Sequence, residues 1–220
     1  MKDNRLGGIA LIIGAISGII TMAIHPVTGS HPITPAQFET LAAVLIGVHV
    51  LAIAGIPFLF LGGLALTRLL DSPSRVAVTA LAIYSLSLVA VMIAPAISGL
   101  VGTGILRKIV AHDPGSEQWR IMMDYNYMIN QAFDRIFVVA SCGAIALWSV
   151  MIVKTRALSR AIGVYGLLLG CATVIAMASG LRMDAHGFGL VIFGEGIWLV
   201  IVGLLLLRTK EGNKTEPDLK

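Results

Sequence analysis

Six apolar runs, at 6–24, 41–66, 76–100, 127–153, 161–177 and 188–207, divide this chain of 220 residues. Each is long enough to cross a hydrocarbon core of about 30 Å. Because 57% of the residues are hydrophobic and only 13% are charged, with a mean hydropathy of +0.90, most of the chain must be solvated by lipid. In hydrocarbon every backbone amide needs an internal partner. Runs of this length, rich in Leu, Ile, Ala and Gly and lacking period-two alternation, specify helices rather than a barrel. The expectation is an all-α membrane protein, a six-transmembrane-helix bundle over 1–208, with a short polar tail at 209–220 and no separate soluble domain. Pro57 and Pro95 should kink the second and third helices.

Orientation follows from the basic residues. Lys2, Arg5, Arg68, Arg75, Lys154, Arg156, Arg160, Arg208, Lys210, Lys214 and Lys220 fall on one side, and Arg107, Lys108, Arg120 and Arg182 on the other. The imbalance places both termini in the cytoplasm. The formal charge of +4 therefore reads as a topology signal beside apolar segments, not as a nucleic-acid footprint. A cleavable signal peptide is the rival reading of the first segment, with Thr21-Met22-Ala23 as its cleavage site, but the run exceeds a usual h-region of about 7 to 15 residues. Cys142 and Cys171 show no CxxC spacing and read as small core residues.

Among the outer connections, the one over 101–126 is the longest. Its Asp113-Pro114-Gly115-Ser116 reads as a turn starting a helix at Glu117 that runs into the fourth span and projects from the membrane.

Ionisable residues inside spans cost about 2.5 kcal/mol or more on insertion scales and so mark candidate sites. His49, Asp134, Arg135 and Glu195 are of this type. Counted from the start of their spans, His49, Asp134 and Glu195 should each lie roughly 10 to 12 Å below the outer surface. On the fourth span Arg120, Asp124, Tyr127, Asn130 or Gln131, and Asp134 recur at three- or four-residue steps, with Ser141 continuing the stripe inward, so that face must meet the bundle interior or water. Gly187, Gly189, Gly194 and Gly196 flank Glu195 and permit close approach of a neighbour or ligand. Two carboxylates against one guanidinium are balanced only by a protonated His49, a protonated carboxyl or a bound cation. The ligand or proton site is thus expected at His49, Asn130, Gln131, Asp134, Arg135 and Glu195. The plainer alternative is that Arg135 pairs with a carboxylate as structural glue while His49 donates to a carbonyl.

His25, His31, His112 and His186, with Asp113 and Asp184, gather at the outer side and could bind a divalent metal, with His25 and His186 the best placed, although their spacing matches no metal motif. Haem would need a second deep histidine facing His49. A rhomboid-type serine protease would need Gly-x-Ser-Gly in the fourth helix, which is lacking. No cofactor is implied.

Asn126 and Asn130, Ser159-Arg160-Ala161-Ile162-Gly163, Ser179-Gly180, and His186-Gly187-Phe188-Gly189 followed by Trp198 give the second half a likeness to small bacterial multi-pass proteins of unknown function. That resemblance implies a six-helix bundle in a bacterial inner (cytoplasmic) membrane and brings no catalytic residue. Two function classes remain, together with a third. One is a small transporter or ligand-binding protein with a proton- or cation-linked site in the outer leaflet. Another is a membrane enzyme or metal-dependent protein acting on a lipid-like or quinone-like substrate at the outer face. The third is an accessory subunit meeting a membrane partner or a second copy. The buried set offers cation, anion and amides but no activated nucleophile, which favours the first.

Overall fold

The computed structural model describes residues 2–26, 35–70, 75–112 and 117–209. His31, the 113–116 turn and the 210–220 tail lie outside the described residues, as does the side chain of His112. The chain is all-helical: α1 (Lys2–Ala23), α2 (Pro35–Leu70), α3 (Val76–Pro95), a π-helical turn (Ala96–Val101), α4 (Gly102–His112), α5 (Glu117–Thr155), α6 (Arg160–Ala178) and α7 (Ala185–Arg208). Among the described residues six helical runs are long and apolar enough to cross a membrane, with α3, the π turn and α4 forming one of them.

The helices close into a ring in chain order, each packed on the next and α7 returning to α1, while α2, α5 and α7 touch one another across the middle. Close-approaching small residues set the registers. Gly8 of α1 lies against Gly203 and Leu206 of α7, and Gly196 against Ile19, so α1 and α7 run antiparallel and both ends of the chain leave from one end of the bundle. This is the termini end; the α4 end is opposite.

Helix lengths are unequal, and this shapes the molecule. α2 has 36 residues and α5 has 39, about 54 and 58 Å at 1.5 Å per residue, well beyond the bilayer core. The start of α2, all of α4 and the first third of α5 therefore extend past the α6–α7 link as a three-helix projection at the α4 end. Phe38 and Ala42 are buried there, and the Glu39 carboxylate accepts from Arg107 Nε and Nη2 at 3.1 and 3.0 Å across its exposed surface. The segment over 101–112, read from sequence as part of a loop, is helical: its Leu, Ile and Val residues alternate at helical spacing with Arg107 and Lys108. Pro57 sits inside α2 without ending it, whereas Pro95 is followed by the π turn.

Toward the termini end, the core is locked by aromatics. Trp148 stacks on Trp198 with centroids 6.4 Å apart, meets Tyr84 edge-on at 5.1 Å, and donates its indole N–H to the Thr67 hydroxyl at 3.1 Å. Trp198 donates to the Ile162 carbonyl at 3.0 Å. Five helices are tied at one level, and the indole donors are satisfied as a lipid-solvated bundle demands. Trp148→Ala should lower stability by about 3 kcal/mol or more through the cavity it leaves. Trp148→Phe, which keeps a ring but loses the bond to Thr67, should cost far less; unfolding in mixed detergent micelles checks both.

Candidate functional site

Pro95 has no N–H to continue the helical ladder, and the chain answers with the wider π turn over Ala96–Val101. That turn presents Ser98 and Gly99 to α2. A methyl group at Gly99 would overlap the His49 ring, so the missing side chain is what admits the imidazole. His49 is buried, its Nδ1 stands 2.6 Å from the Leu45 carbonyl and its Nε2 is 3.1 Å from Ser98 Oγ. A carbonyl only accepts, so Nδ1 carries a proton. The Ser98 hydroxyl has one proton and two acceptors in reach, His49 Nε2 and the Ala94 carbonyl at 3.0 Å. With neutral His49 it donates to Nε2; with charged His49 the ring donates to Ser98, and the hydroxyl turns to Ala94. Both protonation states are thus hydrogen-bonded without moving a heavy atom.

His25, just past the end of α1, meets His49 edge-on with ring centroids 5.1 Å apart. Its Nδ1 is shielded from solvent and finds no hydrogen-bond partner among the described residues. Burial pushes the His25 imidazole below the usual histidine range, and the neighbouring Pro26 backbone opposes that shift.

On α5, Asn126, Asn130 and Asp134 recur every four residues and share one inward face. Asn130 donates to Asp134 Oδ2 at 2.7 Å, and Asn126 packs against Gly102 at the start of α4. Asn130 Oδ1 and Thr103 Oγ1 are buried without a partner among the described residues. The α1 contacts supply a ruler for depth. Thr21 donates to the Val48 carbonyl at 3.1 Å, and Met22 lies against Gly189. Gln131 donates to the Met183 carbonyl at 2.6 Å, which puts Asp134 about one turn into α7. His49 and Asp134 therefore share a layer near the first turn of α7.

Glu195 lies elsewhere. It is six residues beyond Gly189 on α7, about 9 Å deeper than that layer. Its Oε1 accepts from the Ser141 hydroxyl at 2.6 Å and from the Cys142 thiol at 3.3 Å, and only 3% of the residue is exposed. Counting each span from its first apolar residue placed it level with Asp134; α5, however, begins well above the α6–α7 link, so equal counts on α5 and α7 are not equal depths. Among the described residues no basic side chain comes within ion-pair distance of Asp134 or Glu195.

Arg135 does not join this group. Neighbours in a helix sit about 100° apart, so the face that buries Asp134 turns Arg135 outward, beside Tyr127 and Gln131 on a second stripe. His186 is exposed at the start of α7, where its backbone N–H and that of Gly187 donate to Asp184 at 3.1 Å each. His25 thus pairs with His49 rather than with His186, and no group of three or more His, Cys, Asp or Glu side chains among the described residues could hold a metal. Cys142 is part of the Glu195 site rather than plain core, and Cys171 is exposed.

No family model, curated protein or solved structure matches this chain.

The site consequently stands on its geometry. Ser98, Gly99, Thr103 and Cys142 were not among the residues expected from sequence. Pro95 followed by Ser98, Gly99 and Gly102 inside an apolar run was the available signal for the first three, since such a cluster interrupts a regular helix. For Cys142, adjacency to Ser141 gave no indication, because neighbours on a helix rarely share a partner.

Gly99→Ala should displace the His49 ring and lower the melting temperature, and histidine NMR should show the His49 signals shifted while those of His186 are not. At the start of α7, the N–H groups of Gly187 and His186 hold the Asp184 carboxyl below the usual range. The stability from this cap is therefore fully present above the ordinary value of about 3.9 and is lost as pH falls through the lowered folded value. Melts of wild type and Asp184→Ala should converge at strongly acidic pH and differ above it.

Proposed function

We propose that this chain is a small transporter or ligand-binding membrane protein whose site is linked to protons or cations, placed in the outer half of a bacterial inner membrane with both termini cytoplasmic. The observation that carries the reading is a path of polar groups running from the His49 and Asp134 layer up to the start of α4, along which three shielded polar atoms, His25 Nδ1, Asn130 Oδ1 and Thr103 Oγ1, find no partner among the described residues. Buried polar groups are nearly always satisfied, so an orphan beside the His49 imidazole, one beside the Asp134 carboxyl and one above them favour a polar ligand or water chain held there.

The proton or cation link rests on charge. Asp134 and Glu195 lie in an apolar bundle with no base in ion-pair range among the described residues. Leaving Arg135 out of the group sharpens the requirement, because an ionised carboxyl there would be compensated only by a proton or a cation. His49 supplies a group that accepts a proton while keeping both hydrogen bonds. The Glu195 thiol and hydroxyl donors lie deeper, above the Tyr84, Trp148 and Trp198 lock, so titratable groups occur at two depths with packed aromatics beneath them. Access in this reading comes from the α4 end, through or beside the three-helix projection.

Infrared difference spectra of the purified protein between acidic and alkaline buffer report carboxyl protonation directly. Carboxyl bands that follow pH and are lost in part in Asp134→Asn and in Glu195→Gln, or stabilisation by Na+ or K+ that either variant abolishes, are the expected results. Identical responses to pH and to both cations in wild type and in the two variants would overturn the reading.

A further inference from the structure

A second feature, independent of the buried acids, lies on the outward stripe of α5. Tyr127, Met128, Gln131 and Arg135 from α5, with Arg182 and Met183 from the α6–α7 link, line an open groove of about 400 Å³. Local chemistry fixes both walls. α6 ends in a turn where Leu181 N–H returns to the Ala176 carbonyl and Gly180 N–H to that of Met177, with Gly180 at φ 91°. The Gln131 bond to Met183 then bolts this link to α5, and Asp184 starts α7. Arg182 is therefore held opposite α5 and not on a free loop.

Both guanidiniums are exposed to the groove side, and neither has a carboxylate in ion-pair range among the described residues. Asp184, two residues on, attracts Arg182 from beyond ion-pair distance, and its Oδ1 accepts from the N–H groups of His186 and Gly187. Arg135 sits one helical turn, about 6 Å, to the bilayer side of the Gln131 level. One turn further along the same face Val139 is exposed and apolar, and Met128 on the groove wall is likewise exposed. A long Arg stem on such a face reaches back toward the interface, where its charge needs an anion.

We infer that this groove binds the phosphate of an anionic lipid headgroup, with Arg135 and Arg182 as the paired donors. Two planar guanidiniums offer forked N–H donors that suit phosphate oxygens, Tyr127 lines the groove beside them, and the apolar surface around Val139 lies where the acyl chains would run. The combination of charged groove above and lipid-facing apolar surface below fits an amphiphile better than a soluble anion.

The test uses the full chain in nanodiscs of phosphatidylcholine with increasing phosphatidylglycerol, read by native mass spectrometry after release into detergent. Wild type should retain phosphatidylglycerol selectively, and Arg135→Gln and Arg182→Gln should each weaken retention about tenfold, the loss of one charge-assisted contact. Arg135→Lys, which keeps charge but not the fork, should fall between. Arg120→Gln, outside the groove, should match wild type and controls for general surface charge. Size-exclusion profiles and melts confirm folding of each variant, and Arg135→Lys keeps the test informative if a Gln variant misfolds. Retention unchanged in Arg135→Gln and Arg182→Gln would overturn the inference. Displacement of the lipid by millimolar inorganic phosphate, with no preference for phosphatidylglycerol over free anion, would equally overturn it by assigning the groove to a soluble phosphate.

Discussion

Hydrocarbon offers no hydrogen bonds and no countercharge, and nearly every polar feature of this bundle is a response to that. The backbone satisfies itself as helix. The indoles of Trp148 and Trp198 reach Thr67 and the Ile162 carbonyl, the hydroxyls of Ser17, Thr79, Ser85, Ser87 and Thr155 turn back on their own helices, and Gln131 caps a carbonyl in the α6–α7 link. Against this background of satisfied groups, the places where satisfaction fails stand out. Among the described residues, three of four orphaned polar atoms lie at the His49 and Asp134 layer or just above it, the fourth being Ser149 Oγ in the core; Asp134 and Glu195 have no base in ion-pair range, and Arg135 and Arg182 have no acid in that range.

The unequal helix lengths organise these exceptions. Because α2 and α5 run far beyond the short helices α1, α6 and α7, the His49 layer is roofed by the α2, α4 and α5 projection, while the Arg135 groove opens sideways where the short helices end. One sequence stripe on α5 thereby serves two surfaces. Asn126, Asn130 and Asp134 face the bundle, and Tyr127, Gln131 and Arg135, each one residue further along, face the groove. A shift of one residue on a helix is enough to separate an acid that must be neutralised inside from a base that finds its anion outside.

The fold is largely legible in the sequence, because apolar run length and the hydrogen-bonding demand of lipid leave few choices. Six spans, the helix beginning at Glu117, and the interior placement of His49, Asp134 and Glu195 all follow from local composition. What was not legible depends on relative register. Equal residue counts from span starts put Asp134 and Glu195 at one depth, yet α5 enters the bundle well above α7, and the Ser141 and Cys142 donors show Glu195 about two turns further in. His25 was grouped with His186 by proximity to the same membrane face, whereas the antiparallel packing of α1 on α2 sets it against His49.

The sequence by itself determined the solvent, the number of spans and which side chains are too costly to face lipid, since these depend on composition within single segments. The tertiary structure alone decided which of those side chains meet. Whether Arg135 compensates Asp134 depends on helix rotation, whether Ser98 reaches His49 depends on a π turn and one missing methyl group, and whether Glu195 lies beside a thiol depends on how far α7 slides along α5. Rotation, local winding and axial offset are fixed by packing between helices distant in the chain, and no single segment contains that information.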